Sequence, residues 1–159
     1  LCNCSWLGVE TEGIAEQEVE DLKSALTGLK IDGIVSGALR SDYQKTRLER
    51  MCEDLGIKSF TPLWHQSRES HMDNLVANGF KVLITGVSTE GLGKEWLGVI
   101  LDESSLGKLK ELATKYRFNV DGEGGEYETL VLAGPHMKGD LDLDFEIRWD
   151  GVRGDLDFL

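Results

Sequence analysis

The sequence has few cysteines, few prolines and no long apolar run. Three cysteines in 159 residues are too few for a disulfide framework and indicate reduced thiols in the cytoplasm. The longest apolar runs are far shorter than the roughly 20 residues that a membrane-spanning helix needs. The first residues also lack the basic and apolar segments of a signal peptide. We therefore expect a soluble, cytoplasmic protein with no membrane partner.

Basic residues are scarce as well. The chain has 17 Lys and Arg against 29 Asp and Glu, which gives a formal net charge of −12. A field of this sign repels phosphate backbones, so we expect no nucleic-acid partner. Hydrophobic residues make up 40% of the sequence, which is enough for the core of one domain or of two very small ones. This composition excludes a disordered or collagen-like chain.

Standard metal-binding motifs are missing. A calcium loop that began at Asp140 would need glycine at Phe145 and glutamate at Gly151. Cys2 and Cys4 form an isolated C-x-C pair without the further ligands that zinc usually requires. The sequence therefore predicts no metal site.

Apolar periodicity predicts an α/β first part and a mixed C-terminal part. Two successive units of a helix and a short strand come first, and this order favours parallel strand pairing. Alternating apolar and acidic residues near the end of the chain predict β structure with one solvent-facing side. The predicted helices lie near residues 19–29, 42–55, 67–78 and 106–116, and the predicted strands near residues 31–36, 58–62, 80–87, 127–133 and 140–149.

Residues 37–47 concentrate groups that suit an anionic ligand. They follow a predicted parallel strand and begin a helix, where open α/β sheets bind their ligands. Ser41 and Gln44 have capping-box spacing, which by itself explains only the start of a helix. Gly37 beside Arg40 and two further cations adds a closely approachable backbone and positive charge, as a nucleotide phosphate requires.

Residues 122–131 place three glycines and three glutamates directly before and within a predicted strand. Glycine allows positive φ and close approach of the backbone. Converging carboxylates repel one another unless a cation, a metal ion or a proton lies between them. An acidic hairpin is the simpler alternative, but the composition favours a loop that receives a positively charged group.

Four stretches together resemble the diphthine–ammonia ligase family. They are GALRSDYQKTR at residues 37–47, TPLW at residues 61–64, the segment from GVS at 86–88 to WLG at 96–98 and, most specifically, GEGGEYETLV at 122–131. The resemblance implies an N-type ATP pyrophosphatase of the PP-loop superfamily with an α/β fold. Residues 1–63 would belong to a Rossmann-like adenine nucleotide α-hydrolase (HUP) domain, here incomplete. Residues 64–159 would form a smaller C-terminal α+β domain that binds the substrate.

The resemblance also implies an ATP-dependent, amide-forming reaction. ATP, with Mg²⁺, activates the carboxylate of diphthine on elongation factor 2 as an acyl-adenylate, and ammonia from ammonium displaces AMP to give diphthamide. Elongation factor 2 and ammonium are thus the implied partners, and a homodimer is one option for the oligomeric state. The implied nucleotide-binding residues are Gly37, Ala38, Arg40, Ser41, Tyr43 and Gln44. The implied substrate-binding residues are Gly122, Glu123, Gly124, Gly125, Glu126, Tyr127, Glu128 and Thr129.

Two of these residues, Glu126 and Glu128, are the implied catalytic carboxylates, which would hold ammonium and help to deprotonate it. Tyr127 would offer its ring face to the quaternary ammonium group of diphthine. The glutamates of the loop would supply the compensating negative charge.

One feature of the family does not occur in this sequence. Members of the family bind pyrophosphate with a Ser-Gly-Gly-Lys-Asp-Ser loop, and this motif is not found in the present sequence. We expect the chain to be a fragment of the enzyme, an incomplete sequence or a degenerate relative, and to lack ATP pyrophosphatase activity on its own. The alternatives are a non-catalytic nucleotide- or partner-binding relative and a tRNA-modifying PP-loop ligase. The net charge of −12 argues against binding tRNA.

Overall fold

The computed structural model describes residues 1–14 and 17–159. It contains two compact units, one formed by residues 4–66 and the other by residues 1–3 and 67–159. We call them the first and the second unit. Their assignment to nucleotide binding and substrate binding stays a prediction.

The first unit confirms the predicted alternation of helices and short strands. Its elements are α1 (Gln17–Leu26), β1 (Gly33–Val35), α2 (Asp42–Leu55) and β2 (Lys58–Phe60). Strands β1 and β2 pair in parallel, with Val35 beside Phe60, as the strand-helix-strand order predicts. Helix α1 ends before the predicted residue 29, because Gly28 adopts a φ of 85° that a right-handed helix cannot include.

Both ends of α2 follow from its sequence. The Ser41 hydroxyl accepts a hydrogen bond from the Gln44 amide at 3.3 Å, as predicted. The return bond from the Gln44 side chain is not formed in this part of the described chain, so only half of the predicted capping box exists. Gly56 ends the helix in the left-handed conformation, with φ at 69°.

The second unit consists of a four-stranded sheet and two α-helices. Its elements are α3 (Arg68–Ala77), β3 (Lys81–Val87), α4 (Glu103–Tyr116), β4 (Tyr127–Ala133), β5 (Phe145–Trp149) and β6 (Gly154–Phe158), with a single 3₁₀ turn at Lys94–Trp96. The strand order is β4-β3-β6-β5, and all neighbours are antiparallel. The chain is therefore α/β, with one parallel and one antiparallel sheet.

Strand β3 and helix α4 supply the centre of the core. Ile84 of β3 and Leu109 of α4 are both 0% exposed. Helix α4 begins with a full capping box between Asp102 and Ser105. Hydrogen bonds from the Ser105 amide and then its hydroxyl lower the pKa of Asp102 below its usual value. None of the described helices is both long and apolar enough to cross a membrane.

Two details of the C-terminal part differ from the prediction. The strand expected at residues 140–149 begins only at Phe145. Residues 140–144 are not part of any strand. Strand β6 was not predicted from the sequence. Its five residues include Gly154, Asp155 and Asp157, which have low β propensity, so that only Leu156 and Phe158 favour a strand.

Candidate functional site

The loop before β4 is held in shape by the side chain of Glu126. One oxygen of its carboxylate accepts a hydrogen bond from the Asn119 amide at 2.8 Å, and the other accepts one from the Gly124 amide at 2.7 Å. Gly122 and Gly125 have φ values of 72° and 79°, which explains the need for glycine at these two positions. Glu126 therefore positions the loop backbone, whereas the sequence analysis assigned its carboxylate to the substrate.

The ring of Tyr127 lies in the core of the second unit. This residue is only 4% exposed, and its hydroxyl donates a hydrogen bond to the Val120 carbonyl at 2.5 Å. Burial, followed by the negative charges of Asp121 and Glu126, raises the pKa of Tyr127 well above its usual range. The predicted contact between this ring and a quaternary ammonium group is wrong for this structure, because the ring packs inside the protein.

An ion pair with a buried carboxylate joins the base of the loop to α3. The Asp121 side chain is 1% exposed, and its carboxylate lies 3.2 Å from Nε of Arg68, the first residue of α3. Nε of Arg68 makes no hydrogen bond, so charge alone joins the buried carboxylate to the partly exposed guanidinium. Sequence reasoning missed this pair, since Asp121 only precedes the recognised motif and Arg68 is far away along the chain.

A cavity of about 270 Å³ opens next to the loop. Its walls come from the ends of three neighbouring strands: residues 86–88 at the end of β3, Tyr127 and Glu128 at the start of β4, and residues 153–155 at the start of β6. The Ser88 hydroxyl donates to the Gly125 carbonyl at 2.5 Å, which fixes one wall to the loop. The cavity thus combines two of the stretches recognised in the sequence with a third that was not.

Two carboxylates flank the floor of this cavity. Gly86 pairs with Glu128 on one side and with Asp155 on the other. Directly paired residues project from the same face of a sheet, so Glu128 and Asp155 stand on either side of a position that has no side chain. Both carboxylates are exposed. Such an arrangement suits a small cation or a protonated amine.

A larger cavity lies elsewhere in the second unit. It has a volume of about 480 Å³ and is lined by Trp96, Val99 and Leu112, among others. It contains no residue of the loop that precedes β4. We therefore place the candidate site at the smaller cavity, where the motif residues and the paired carboxylates meet.

The predicted nucleotide-binding residues lie in the first unit, at the carboxyl ends of its two parallel strands. Arg40 donates from a terminal guanidinium nitrogen to the Gln66 carbonyl at 2.5 Å, and the His65 amide donates to the Leu39 carbonyl at 3.1 Å. The segments that follow β1 and β2 are therefore bound to each other. This is the edge at which parallel α/β sheets bind ligands.

Two observations leave room for a ligand at this edge. Nε of Arg40 and Oε1 of Gln66 are buried without a hydrogen-bond partner. A Cβ atom added to Gly37 would meet no atom within 4 Å, and Gly37 does not have the positive φ that would demand glycine. The fold itself thus does not explain this glycine, whereas a closely approaching ligand would.

The other residues of this segment have separate surroundings. Ser41 caps α2, and Gln44 supplies the capped amide. Tyr43 is 58% exposed, and the guanidinium of Arg47 lies 4.2 Å from the centre of its ring. The Ala38 amide donates to the Ser36 hydroxyl at 3.2 Å, which shapes the turn after β1.

Two family models match the chain. Residues 67–158 match the diphthamide synthase C-terminal domain, and residues 6–59 match the diphthamide synthase N-terminal domain. The first match alone covers more than half of the chain. The chain belongs to the diphthamide synthase family.

Curated relatives agree with this assignment. A diphthine–ammonia ligase from Homo sapiens is 36% identical over 132 residues, which cover 80% of this chain and 49% of the relative. The one from Danio rerio is also 36% identical, with 80% and 51% coverage. The one from Schizosaccharomyces pombe is 38% identical over 128 residues, with 77% and 21% coverage. The chain thus spans about half the length of the two vertebrate relatives.

The family models also include the residues that sequence reasoning missed. The match to the diphthamide synthase C-terminal domain extends past Arg153 and Asp155 and includes Arg68 and Asp121. The only sequence signal for the strand that carries Asp155 is the Gly151 to Gly154 stretch, which resembles a turn. The match to the N-terminal domain includes Gly37 to Gln44.

Proposed function

We propose that this chain forms part of a diphthine–ammonia ligase, an enzyme that uses ATP to form an amide from ammonium and the carboxylate of diphthine on elongation factor 2. The main structural support for this proposal is the cavity at the loop before β4, where Glu128 and Asp155 flank Gly86. The names of the relatives support the reaction. In this proposal the enzyme acts in the cytoplasm and releases AMP and pyrophosphate.

The two carboxylates of the cavity suit the ammonium substrate. Ammonium must lose a proton before its nitrogen can attack the activated carbonyl carbon, and Glu128 or Asp155 would accept that proton. The new carbon–nitrogen bond forms as the bond to the AMP oxygen breaks, so AMP leaves with the electron pair. Glu126 would act indirectly, because its carboxylate holds the loop backbone.

The segment after β1 suits the adenylate. Its phosphate would approach the backbone at Gly37 and Ala38, next to the N-terminus of α2 at Ser41. Arg40 would donate to a phosphate oxygen, since its Nε has no other partner. Tyr43 and Gln44, both exposed on the first turn of α2, complete the proposed nucleotide-binding set.

Magnesium is expected to accompany ATP in such a reaction. Among the described residues, no three His, Cys, Asp or Glu side chains converge in a way that would hold a metal ion. The proposal therefore assigns no step of the reaction to Mg²⁺, which in such sites is held mainly by the phosphates of ATP and by water.

Replacing Glu128 by glutamine tests the proposed use of the cavity. We expect kcat/KM for ammonium to fall by about 10² to 10⁴, since the variant loses both a negative charge and a proton acceptor. The KM for ATP should stay unchanged. The measurement is AMP formation by the ligase that contains this chain, with diphthine-bearing elongation factor 2 and varied ammonium. E90Q, which alters an exposed carboxylate outside the cavity, is the matched control. Equal ammonium dependence in E128Q and E90Q would contradict the proposal.

Replacing Arg40 by alanine tests the nucleotide site. We expect AMP binding to weaken by about 1–3 kcal/mol, the usual contribution of a charge-assisted hydrogen bond. Titration calorimetry measures the affinity, and circular dichroism checks the fold, because Arg40 also binds the Gln66 carbonyl. R50A removes the same charge from an exposed position on α2 and should bind AMP normally. Equal affinities of the two variants would remove Arg40 from the site.

A further inference from the structure

Strand β5 lies at one edge of the sheet in the second unit. Its inner edge pairs with β6 in an uninterrupted register from Phe145 to Trp149. Two backbone bonds just beyond the strand ends fix the hydrogen-bonding phase: the Leu159 amide donates to Asp144, and the Asp150 amide donates to Arg153, both at 3.0 Å. These bonds determine which backbone groups of β5 face β6.

The backbone groups of β5 alternate between the two sides of the strand. In an antiparallel pair, every second residue exchanges hydrogen bonds with its partner, so Glu146 and Arg148 bond to β6. The N–H and C=O groups of Phe145, Ile147 and Trp149 therefore point away from the sheet. Within the described residues, no strand pairs with this outer edge.

This short edge strand carries two charged residues, Glu146 and Arg148, but few of the other devices that protect an exposed strand. It contains no proline, no lysine and no bulge. Its apolar side chains share one face with those of β6, and that face remains partly open, with Ile147 39% and Phe158 41% exposed. An edge without proline, lysine or a bulge stays open to pairing with a strand whose charges match its own.

On the opposite face of β5, the charged side chains are not all paired with residues of opposite charge within one chain. Glu146 lies directly opposite Asp157, a residue of the same charge, while Arg148 forms an ion pair with Asp157. In the described part of the chain, Glu146 itself takes part in no ion pair. An incoming strand that presents a basic residue opposite Glu146 would complete the pattern.

We propose that β5 pairs in antiparallel fashion with β5 of a second copy of this chain, about a two-fold axis through Ile147. Ile147 then exchanges backbone hydrogen bonds with the partner's Ile147, and Phe145 does so with the partner's Trp149. All outward-facing backbone groups of the strand are satisfied, because they belong to the three residues centred on the axis. The two sheets become one continuous sheet, and the exposed Ile147 side chains cover each other.

The same symmetry pairs the charges. With the axis at Ile147, Glu146 stands opposite the partner's Arg148, and Arg148 stands opposite the partner's Glu146. Cross-strand pairs of opposite charge stabilise antiparallel sheets, and like charges destabilise them. The strand is thus complementary to itself, as a two-fold interface requires.

The other edge of the sheet does not fit a second copy in this way. A two-fold axis at Leu130, the centre of β4, would place Glu128 opposite the partner's Leu132 and would pair no opposite charges. The ladder between β4 and β3 also contains two register shifts, which twist the strand and disfavour edge-to-edge pairing. We therefore assign the contact to β5.

Charge reversal tests this interface. Sedimentation velocity over a concentration series, at about 0.15 M salt to screen the repulsion between two acidic chains, should show a monomer–dimer equilibrium for the unaltered chain. E146R should weaken dimerisation at least about tenfold, because it sets two cations opposite each other. It should not harm the single chain, since the new cation faces Asp157. The double variant E146R/R148E restores opposite charges across the axis and should dimerise again, and E90R is the control for the change in net charge.

Amide hydrogen exchange locates the contact independently. The amides of Phe145, Ile147 and Trp149 should exchange fast in dilute solution and slowly at high concentration, whereas those of Glu146 and Arg148 should be protected throughout. A chain that stays monomeric at all concentrations would overturn the proposal. So would a dimer that forms equally well in E146R, and so would outer-edge amides that are protected even in the dilute monomer, which would mean that the edge is already covered.

Discussion

Glu126→Gln is expected to loosen the loop before β4 and to lower the free energy of unfolding by about 2–4 kcal/mol. In the unaltered chain, the two carboxylate oxygens accept hydrogen bonds from the Asn119 and Gly124 amides. Glutamine has only one accepting oxygen, so one of these amides must face a donor or lose its partner. Urea denaturation followed by tryptophan fluorescence measures the change.

Glu123→Gln is the matched control for this prediction. Glu123 lies in the same loop and is exposed, and within the described residues its side chain forms no hydrogen bond or ion pair that holds the loop. The same loss of charge there should leave the urea midpoint unchanged. Faster hydrogen exchange at the Gly124 amide in E126Q, but not in E123Q, would show that the loop itself has loosened. Coincident denaturation curves for the two variants would mean that Glu126 does not position the loop.

Replacing Tyr127 by leucine is expected to destabilise the second unit by about 3 kcal/mol, since it leaves part of a buried site empty and the Val120 carbonyl without its donor. Tyr127→Phe keeps the ring and should cost about 1–3 kcal/mol, the penalty for the unsatisfied carbonyl alone. Thermal and urea denaturation of both variants measure the two effects. A smaller loss in Y127L than in Y127F would contradict the buried position of the ring.

The buried hydroxyl of Tyr127 also predicts a dependence of stability on alkaline pH. Its pKa is raised in the folded state, mainly by burial, so folding favours the protonated form. Its contribution is therefore fully present below the pKa of an unfolded tyrosine, about 10, and is lost as the pH rises above that value. Urea midpoints measured between about pH 8 and pH 11 should fall more steeply for the unaltered chain than for Y127F. Parallel pH profiles would argue against this buried hydroxyl.

Local sequence signals predicted the elements of the first unit well. Ser41 and Gly56 determine the limits of α2 because a hydroxyl that caps an amide and a left-handed glycine act within a few residues. The parallel pairing of β1 and β2 follows from the helix between them. Such signals do not depend on contacts with distant parts of the chain.

The candidate cavity depends on such distant contacts, which is why only part of it was predicted. Alternation along β4 requires Tyr127 and Glu128 to face opposite sides, but the sequence does not decide which of them faces the core. The pairing of β4 with β3 decides it, and the pairing of β3 with β6 then brings Asp155 next to Gly86. The motif itself could be recognised from the sequence, whereas the residues beside it in space could be identified only from the pairing of the strands.

The central position of β3 also has a consequence for the order in which a ribosome makes this sheet. Residues 98–101 bond to the edge of β3 opposite β4 along Val82 to Ile84, but the end of that edge, at Gly86 and Val87, obtains its neighbour β6 only from Gly154 onward. At the usual rate of synthesis, roughly 5–20 residues per second, this end of the β3 edge stays unpaired for about one to five seconds after β4 is made. During that interval the unpaired backbone groups at the end of β3 are open to other strands, and slowing translation between β4 and β6 should increase aggregation.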